Sequence, residues 1–241
     1  MIRLLLVILI AVPVTAWYAW EVIWAVLRKA PNLSCVCYQA PRKWSRLMLW
    51  VAGVKVVVEN LGVISEETPQ IIVANHVSWY DVFALAANVP GEYLFVAKKE
   101  VKRFPILAQA ITACGHIYID RRDHQSALDS LEAIRKRLAQ TNPTVIMFPE
   151  GTRSATGELQ RFKKGAFVLA LQAQADIVPV AISGSGDIMN KSSMRIYPGT
   201  ITVRFGEPIP VDLLTMENRD QLIRDTREVL LDLLAVDPES N

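Results

Sequence analysis

Residues 71–81 read IIVANHVSWYD, and this stretch indicates the fold because an apolar run ends there in a polar turn. Residues 70–74 (QIIVA) predict a short, buried strand. Ser78 and Asp81 have the spacing of a capping box, which predicts that a helix begins near Ser78. A strand that leads directly into a helix is the repeating unit of an α/β sheet. In such sheets, ligand sites form where strands end and helices begin.

Six more segments have strand character, because they are short, rich in Val and Ile, and bounded by Gly, Pro or polar residues. They are residues 54–59, 93–97, 116–119, 144–148, 177–182 and 200–205. Helical patterns lie between them, over residues 127–138, 163–173 and 219–234. The alternation predicts an α/β fold with a largely parallel or mixed sheet flanked by helices.

An apolar run at the N-terminus, residues 4–27, is interrupted only by Pro13 and Glu21. Its length is close to the roughly 20 residues that a bilayer-spanning helix needs. A secretory signal peptide and a buried core helix are the alternatives. The run is long for a signal peptide, and no small-x-small cleavage site follows it. We therefore predict a membrane-anchoring helical segment over residues 1–52, followed by a folded domain over residues 53–241.

The charge pattern supports a membrane surface as partner. Between residues 22 and 58 there are six basic residues and no acidic one. A basic segment beside an apolar run is typical of the cytoplasmic side and attracts anionic lipid. The basic residues lack the aromatic pattern of a nucleic-acid module, so we expect no nucleic-acid partner.

The cysteines and histidines give no sign of a metal site. The three cysteines form a sparse, odd set, which predicts reduced thiols in a cytosol-facing protein rather than a disulfide framework. His116 and His124 have no metal-ligand spacing to each other or to His76.

His76 and Asp81 are the candidate catalytic pair. A carboxylate that holds one imidazole nitrogen fixes the tautomer and stabilises the imidazolium, while the other nitrogen takes a proton. In the simpler alternative, Asp81 only caps the helix and His76 is an ordinary loop residue. The sequence has no G-x-S-x-G motif and no cysteine beside His76, so such a base would act on a hydroxyl of the substrate.

A second polar turn follows another apolar run, where residues 145–154 read VIMFPEGTRS. Gly151 allows the backbone to approach a ligand closely, and Arg153 offers a planar fork that matches a phosphate. Thr152 adds a hydroxyl donor. An ordinary surface turn with solvated charges is the alternative interpretation.

Lys98 and Arg121 each follow the end of a predicted strand. Side chains at strand ends are those that contribute to ligand sites in this architecture. A phosphate carries about −1.5 to −2 charges at neutral pH, so it needs several basic partners.

Four short blocks, in this order, resemble the 1-acyl-sn-glycerol-3-phosphate acyltransferase family of glycerolipid acyltransferases. They are NHxxxxD at residues 75–81, FVAKKE followed by FP at residues 95–105, FPEGTRS at residues 148–154 and IVPVA at residues 177–181. Each block alone is a weak signal, whereas the ordered set is specific and covers roughly residues 50–210.

The resemblance assigns roles to individual residues. It implies that His76 is the base acting on the acceptor hydroxyl and that Asp81 orients it. It implies that the glycerol phosphate is held by Lys98, Arg121, Glu150, Gly151, Thr152 and Arg153.

The resemblance also implies a reaction and a location. A fatty acyl chain would pass from acyl-CoA or acyl-carrier protein to the sn-2 hydroxyl of 1-acyl-glycerol-3-phosphate (lysophosphatidic acid), giving phosphatidic acid for phospholipid biosynthesis. The acyl donor is a substrate, and no bound cofactor or metal is expected. The implied location is the lipid bilayer of a bacterial inner membrane, with the catalytic domain on the cytoplasmic face. A bilayer-spanning helix and a two-helix element in one leaflet both fit the sequence.

Three alternatives stay open at the level of sequence. An acyltransferase of the same fold can act on another lysolipid, such as lyso-ornithine lipid. A non-catalytic membrane protein can bind anionic lipid through its basic residues. A lipid hydrolase can use water in place of the acceptor hydroxyl.

Overall fold

The computed structural model describes residues 2–30, 33–103, 105–119 and 124–236. The helices are α1 (Ile2–Leu27), α2 (Leu33–Ala52), α3 (Trp79–Asn88), α4 (Pro105–Ala113), α5 (His124–Thr141), α6 (Gly165–Ala173), α7 (Ser185–Ile188) and α8 (Arg219–Ala235). The strands are β1 (Val54–Glu59), β2 (Gln70–Ala74), β3 (Tyr93–Lys98), β4 (Ile117–Ile119), β5 (Thr144–Met147), β6 (Asp176–Ser183) and β7 (Gly199–Phe205).

The strands form one mixed sheet with the order β1-β7-β6-β2-β5-β3-β4. Neighbouring strands run parallel except for the β6–β7 pair, which is antiparallel. The predicted α/β fold with a largely parallel or mixed sheet is therefore confirmed. All seven predicted strands are present, with ends that differ by at most one residue.

Helices cover both faces of this sheet, so its central strands are apolar on both sides. Ile72 of β2 and Ile146 of β5 face a core built with α2, α3 and α7. Ile71 and Val145, the preceding residue in each strand, face a second core built with α5, α6 and α8. This two-sided burial explains why β2 and β5 are continuous apolar runs rather than alternating patterns.

The sequence patterns gave no prediction of α4 or α7, and they included α2 only as part of the helical segment over residues 1–52. Pro41 lies inside α2, and a proline is normally a signal against a helix interior. α4 begins with Pro105, whose fixed φ suits the first position of a helix. α7 has four residues, too few for a helical period to be visible.

The N-terminal helices form a packed element. α1 packs against α2 and α4 through a small-residue face that includes Ala19 and Val22, both of which are buried. The Trp44 indole N–H of α2 donates to Thr15 Oγ1 of α1 at 2.8 Å. Within the described residues, Leu4–Leu27 is the one helix long and apolar enough to cross a membrane, with mean hydropathy 1.9.

The opposite face of α1 carries large apolar side chains that are mostly exposed. Leu9, Trp17 and Trp20 are 71%, 70% and 57% exposed. So much contiguous exposed apolar surface is unusual for a protein that stays in water.

Two of the six basic residues near α2 have a structural role. The Arg42 guanidinium donates to the carbonyls of Val89 and Gly91, and Arg46 Nε donates to that of Ala87 at 3.1 Å. The Ala87 and Val89 carbonyls lie at the C-terminus of α3, where a positive charge is favoured by the helix dipole, and Gly91 follows shortly after it. Fewer charges are therefore left for anionic lipid than the sequence indicates.

The prediction of reduced thiols is wrong for two of the three cysteines. Cys37 of α2 and Cys114, just after α4, form a disulfide with their Cα atoms 5.0 Å apart. Because they are 77 residues apart in the chain, their spacing gave no sign that the two helices pack together. The side chain of Cys35 lies outside the described residues.

If the exposed face of α1 binds a bilayer, replacing Leu9, Trp17 and Trp20 together by Ser should abolish vesicle association. Each large apolar side chain contributes roughly 1.5–3 kcal/mol on leaving water, so partitioning should fall at least about 100-fold. Co-sedimentation with vesicles containing anionic lipid measures this.

The matched control replaces Leu128, Leu213 and Leu231 by Ser, because they are also exposed but lie on or beside the helices of the other sheet face. Equal partitioning of both triple variants would contradict a membrane role for α1. Circular dichroism in detergent checks that both variants fold.

Candidate active site

The two polar turns predicted to carry chemistry meet at one edge of the sheet. β2 and β5 are parallel neighbours in register from Ile71 opposite Val145 to Val73 opposite Met147. Their carboxyl ends therefore lie side by side, and residues 75–78 contact residues 148–154. This is the position at which α/β sheets bind ligands.

His76 and Asp81 form a hydrogen-bonded pair. His76 Nδ1 lies 2.8 Å from Asp81 Oδ2. The same carboxylate oxygen accepts the backbone N–H groups of Val77 and Ser78 at 2.7 and 2.8 Å. The Asp81 side chain is fully buried, whereas that of His76 is 14% exposed. With Nδ1 bonded to the carboxylate, His76 has Nε2 left for proton transfer.

Asp81 both caps α3 and holds the histidine, so the two interpretations of the sequence are compatible. Ser78 is the N-cap residue, and it forms a complete capping box with Asp81. Because residues 75–78 turn before the helix begins, the five-residue separation does not point the two side chains apart. Asp81 Oδ1 is buried and has no hydrogen-bond partner among the described residues.

The second turn fixes the backbone and the ring of His76. The His76 N–H donates to Glu150 Oε1 at 2.7 Å, and the His76 carbonyl accepts from the Ser154 N–H at 2.7 Å. The Phe148 ring stacks on the imidazole with centroids 4.1 Å apart and planes at 19°. Together with Asp81, these contacts leave the imidazole little freedom to move.

Both oxygens of the Glu150 carboxylate are bonded to the protein itself. Oε1 holds His76, while Oε2 accepts the Gln160 backbone N–H at 3.2 Å and its side-chain amide at 3.0 Å. Gln160 also donates to the Thr152 carbonyl at 3.1 Å. Burial raises the pKa of Glu150, and the donated hydrogen bonds oppose that shift. Glu150 therefore links the first turn, through His76, to the loop that carries Gln160.

Side chains of the first turn also bond it to β6, which flanks β2 on the side opposite β5, and to the residue that follows α7. Asn75 exchanges two hydrogen bonds with Ile182 near the end of β6, at 2.9 and 2.7 Å. Ser78 Oγ donates to the Met189 carbonyl, just after α7, at 2.6 Å. The base therefore lies on a turn fixed at both ends.

Arg153 lies close enough to the pair to interact electrostatically with the Asp81 carboxylate. Its guanidinium lies over the Trp79 ring, 5.0 Å from the centroid. Burial lowers the pKa of Arg153, and the Asp81 carboxylate opposes this shift. The Arg153 carbonyl accepts from Lys191 Nζ at 2.7 Å. An arginine held in this way can present its planar fork to an anion.

The structure describes the other predicted substrate-binding residues to different extents. Gly151 has φ of +77°, a conformation that favours glycine, and Thr152 is exposed beside it. The backbone of Lys98 ends β3, but its side chain lies outside the described residues. Arg121 lies entirely outside them.

Three contributors to the site were not assigned from sequence. The stacking ring of Phe148 and the N–H of Ser154 belong to the quoted FPEGTRS block, but an apolar ring and a backbone N–H carry no sequence signal for these roles. Gln160 lies six residues beyond that block, and its amide gave no signal either. Phe148 and Ser154 contact His76 in the first turn directly, whereas Gln160 acts through Glu150 and Thr152 of the second turn.

The described residues show no serine or cysteine nucleophile bonded to His76. Ser78 Oγ donates to Met189, and Ser154 Oγ lies 3.4 Å from Thr156 Oγ1. No cluster of three or more potential metal ligands occurs in the described part of the chain. The arrangement is a base without an enzyme nucleophile, which suits proton abstraction from a bound hydroxyl.

A family model described as acyltransferase matches residues 55–183, which is more than half of the chain and includes both turns. The chain belongs to the acyltransferase family. The resemblance seen in the ordered sequence blocks is thereby confirmed.

Two relatives carry the name 1-acyl-sn-glycerol-3-phosphate acyltransferase. The Cocos nucifera protein is 35% identical over 167 residues, covering 69% of this chain and 54% of that protein. The Limnanthes douglasii protein is 36% identical over 185 residues, covering 76% and 64%. This acyltransferase chain thus matches between about half and just under two thirds of the length of these relatives.

The crystal structure of the 1-acyl-sn-glycerophosphate (LPA) acyltransferase PlsC from Thermotoga maritima has the same fold. It superposes with a TM-score of 0.83 and 22% identity, covering all of this acyltransferase chain and 97% of that one. The likeness extends over the N-terminal helices as well as the sheet.

His76→Ala should lower acyl transfer about 10²–10⁴-fold, the usual contribution of a positioned base. Asp81→Asn should be similarly severe, because an amide can still accept the N–H groups but cannot stabilise an imidazolium by charge. Steady-state kinetics of both purified variants, with melting curves as a folding control, measure this. Near wild-type turnover of a folded variant would contradict the assigned roles.

Glu150→Gln tests whether this residue positions His76 or binds substrate. The amide NH₂ must face either the His76 N–H or the donors of Gln160, so one anchor is lost. We expect kcat to fall about 10–100-fold, as for loss of charged hydrogen bonds worth about 1.5–3 kcal/mol, with little change in KM for either substrate.

Glu158→Gln is the matched control, because Glu158 is exposed in the same loop and loses the same charge. It should leave kcat and KM unchanged. A rise in acceptor KM with constant kcat in Glu150→Gln would instead identify Glu150 as a substrate ligand.

Proposed function

We propose that this chain transfers a fatty acyl group from acyl-CoA or acyl-carrier protein to the sn-2 hydroxyl of 1-acyl-glycerol-3-phosphate, forming phosphatidic acid. The observation that carries the proposal is the fixed His76–Asp81 pair, placed beside Arg153 and without an enzyme nucleophile in the described residues. The names of the matching relatives support the choice of acceptor.

The chemistry follows from the pair. Nε2 of His76 removes the proton of the acceptor hydroxyl as its oxygen attacks the carbonyl carbon of the donor thioester. The carbon–sulfur bond then breaks, and the imidazolium returns the proton to the departing thiolate. The Asp81 carboxylate stabilises the imidazolium between these two steps. The acyl group passes directly, so no acyl-enzyme is formed.

Arg153 supplies the recognition of the acceptor's phosphate in this proposal. Its planar fork can bind two phosphate oxygens at once, which adds geometric selectivity to charge attraction. The contact with Trp79 holds the guanidinium before substrate arrives. A protein that only bound anionic lipid would need these cations, but not the His76–Asp81 pair.

We propose that residues 1–52 anchor the protein and that residues 53–241 form the catalytic domain. The apolar outer face of α1 and the basic residues that follow it support membrane attachment with catalysis on the cytoplasmic face. Within this proposal the membrane is the bacterial inner membrane. The Cys37–Cys114 disulfide is the opposing observation, because disulfides are rare in the cytosol. Two features nevertheless favour the cytoplasmic face in this proposal. The basic residues are typical of that side, and both proposed acyl donors are cytosolic.

The direct test is an assay of the purified protein with lysophosphatidic acid and other lysolipids, including lyso-ornithine lipid, and with both donor types. Preferred conversion of lysophosphatidic acid to phosphatidic acid, abolished by His76→Ala, supports the proposal. Release of free fatty acid as the main product would indicate a hydrolase. Preferred conversion of another lysolipid would show that this lysolipid, and not lysophosphatidic acid, is the acceptor.

Arg153→Lys should raise the KM for lysophosphatidic acid about 10-fold or more, because lysine cannot replace a bidentate contact. The donor KM should change little, since the donor's phosphates lie far from its thioester. Equal increases in both KM values would indicate that Arg153 supports the turn structurally rather than binding the acceptor.

A further inference from the structure

Lys163 lies directly on the turn that fixes the base. Its backbone N–H donates to the Pro149 carbonyl at 2.8 Å, which places its side chain beside Gly151. A Cβ atom added to Gly151 would lie 2.9 Å from Cε and 3.0 Å from Nζ of Lys163. The lysine side chain therefore occupies the space that opens because residue 151 is a glycine.

Within the described part of the chain, no acidic side chain pairs with Lys163. Among the described residues it forms no ion pair, whereas the adjacent Lys164 lies 3.7 Å from Asp220 Oδ1. Two consecutive lysines thus have different surroundings. Lys164 faces α8, and Lys163 places its ammonium group against the turn.

Three cations contact the same short segment, residues 150–154. Arg153 is part of this segment, Lys191 Nζ donates to the Arg153 carbonyl, and the Lys163 side chain packs against Gly151. The two ends of this segment are bonded to the backbone of His76, through Glu150 and Ser154. A ligand that these cations hold would therefore lie on the segment that positions the base.

We propose that the Lys163 ammonium group binds the phosphate of the acceptor together with Arg153. A phosphate monoester carries about −1.5 to −2 charges, which one arginine only partly balances. Lysine adds a compact charge with three donors beside the planar fork of arginine. The inference deepens the proposed function and depends on it.

The acceptor's phosphate is favoured over those of the donor by its distance from the reacting atom. In lysophosphatidic acid, the carbon that bears the free hydroxyl is bonded to the carbon that bears the phosphate. In acyl-CoA and acyl-carrier protein, the whole pantetheine arm separates the thioester from the nearest phosphate. A cation site on the segment that positions the base is therefore better placed for the phosphate of the acceptor than for the phosphates of the donor.

The experiment compares Lys163→Gln with Lys164→Gln, which removes the same charge from the neighbouring residue. Lys163→Gln should raise the KM for lysophosphatidic acid about 10-fold or more, as expected for loss of a charged hydrogen bond. Its kcat and its donor KM should change less than about 2-fold, and Lys164→Gln should behave as wild type. Equal acceptor KM values for the two variants, or a parallel rise in the donor KM, would overturn the proposal.

Inhibition by sn-glycerol 3-phosphate gives an independent readout, because this compound has the headgroup but no acyl chain. Its inhibition constant should rise in Lys163→Gln by a factor similar to that of the acceptor KM, and it should be unchanged in Lys164→Gln. An unchanged inhibition constant in Lys163→Gln would also overturn the proposal. Wild-type activity on lysophosphatidic acid tests the proposed function separately, since it does not depend on either variant.

Discussion

Two backbone hydrogen bonds of His76 connect the parts of this site. Its N–H donates to Glu150 and its carbonyl accepts from Ser154, so residues 150–154 hold the base from both sides. The bonds form only because β2 and β5 are parallel neighbours whose carboxyl ends coincide. The position of the base, the stacked Phe148 ring and the nearby cations all depend on this pairing.

Most of the fold follows from local sequence patterns, but the assembly of the site does not. Strands β1 and β2 have the predicted ends, because Val- and Ile-rich runs bounded by polar residues define them. The His76–Asp81 contact follows from turn and capping chemistry within one segment. The positioning role of Glu150, which Gln160 supports, depends on a contact between segments far apart in the chain. Local patterns of apolar and polar residues carry no information about such contacts.

Asp81 shows how one buried carboxylate can serve structure and chemistry together. A fully buried charge is costly unless hydrogen bonds compensate it. Here one oxygen accepts from His76, Val77 and Ser78, so the bonds that start α3 also stabilise the charge beside the imidazole. Because Ser78 also donates to the Met189 carbonyl, the start of α3 and the base are connected to the residue that follows α7.

The helices beside the site relate the chemistry to the location of its lipid substrate. Leu4 and Val7 of α1 pack on the same core as α3, so α1 lies on the sheet face from which α3 and Trp79 extend. An acceptor that left the bilayer completely would lose about 0.8 kcal/mol for each methylene exposed to water. If α1 holds this face against the membrane, the phosphate can reach Arg153 while most of the acyl chain stays in lipid.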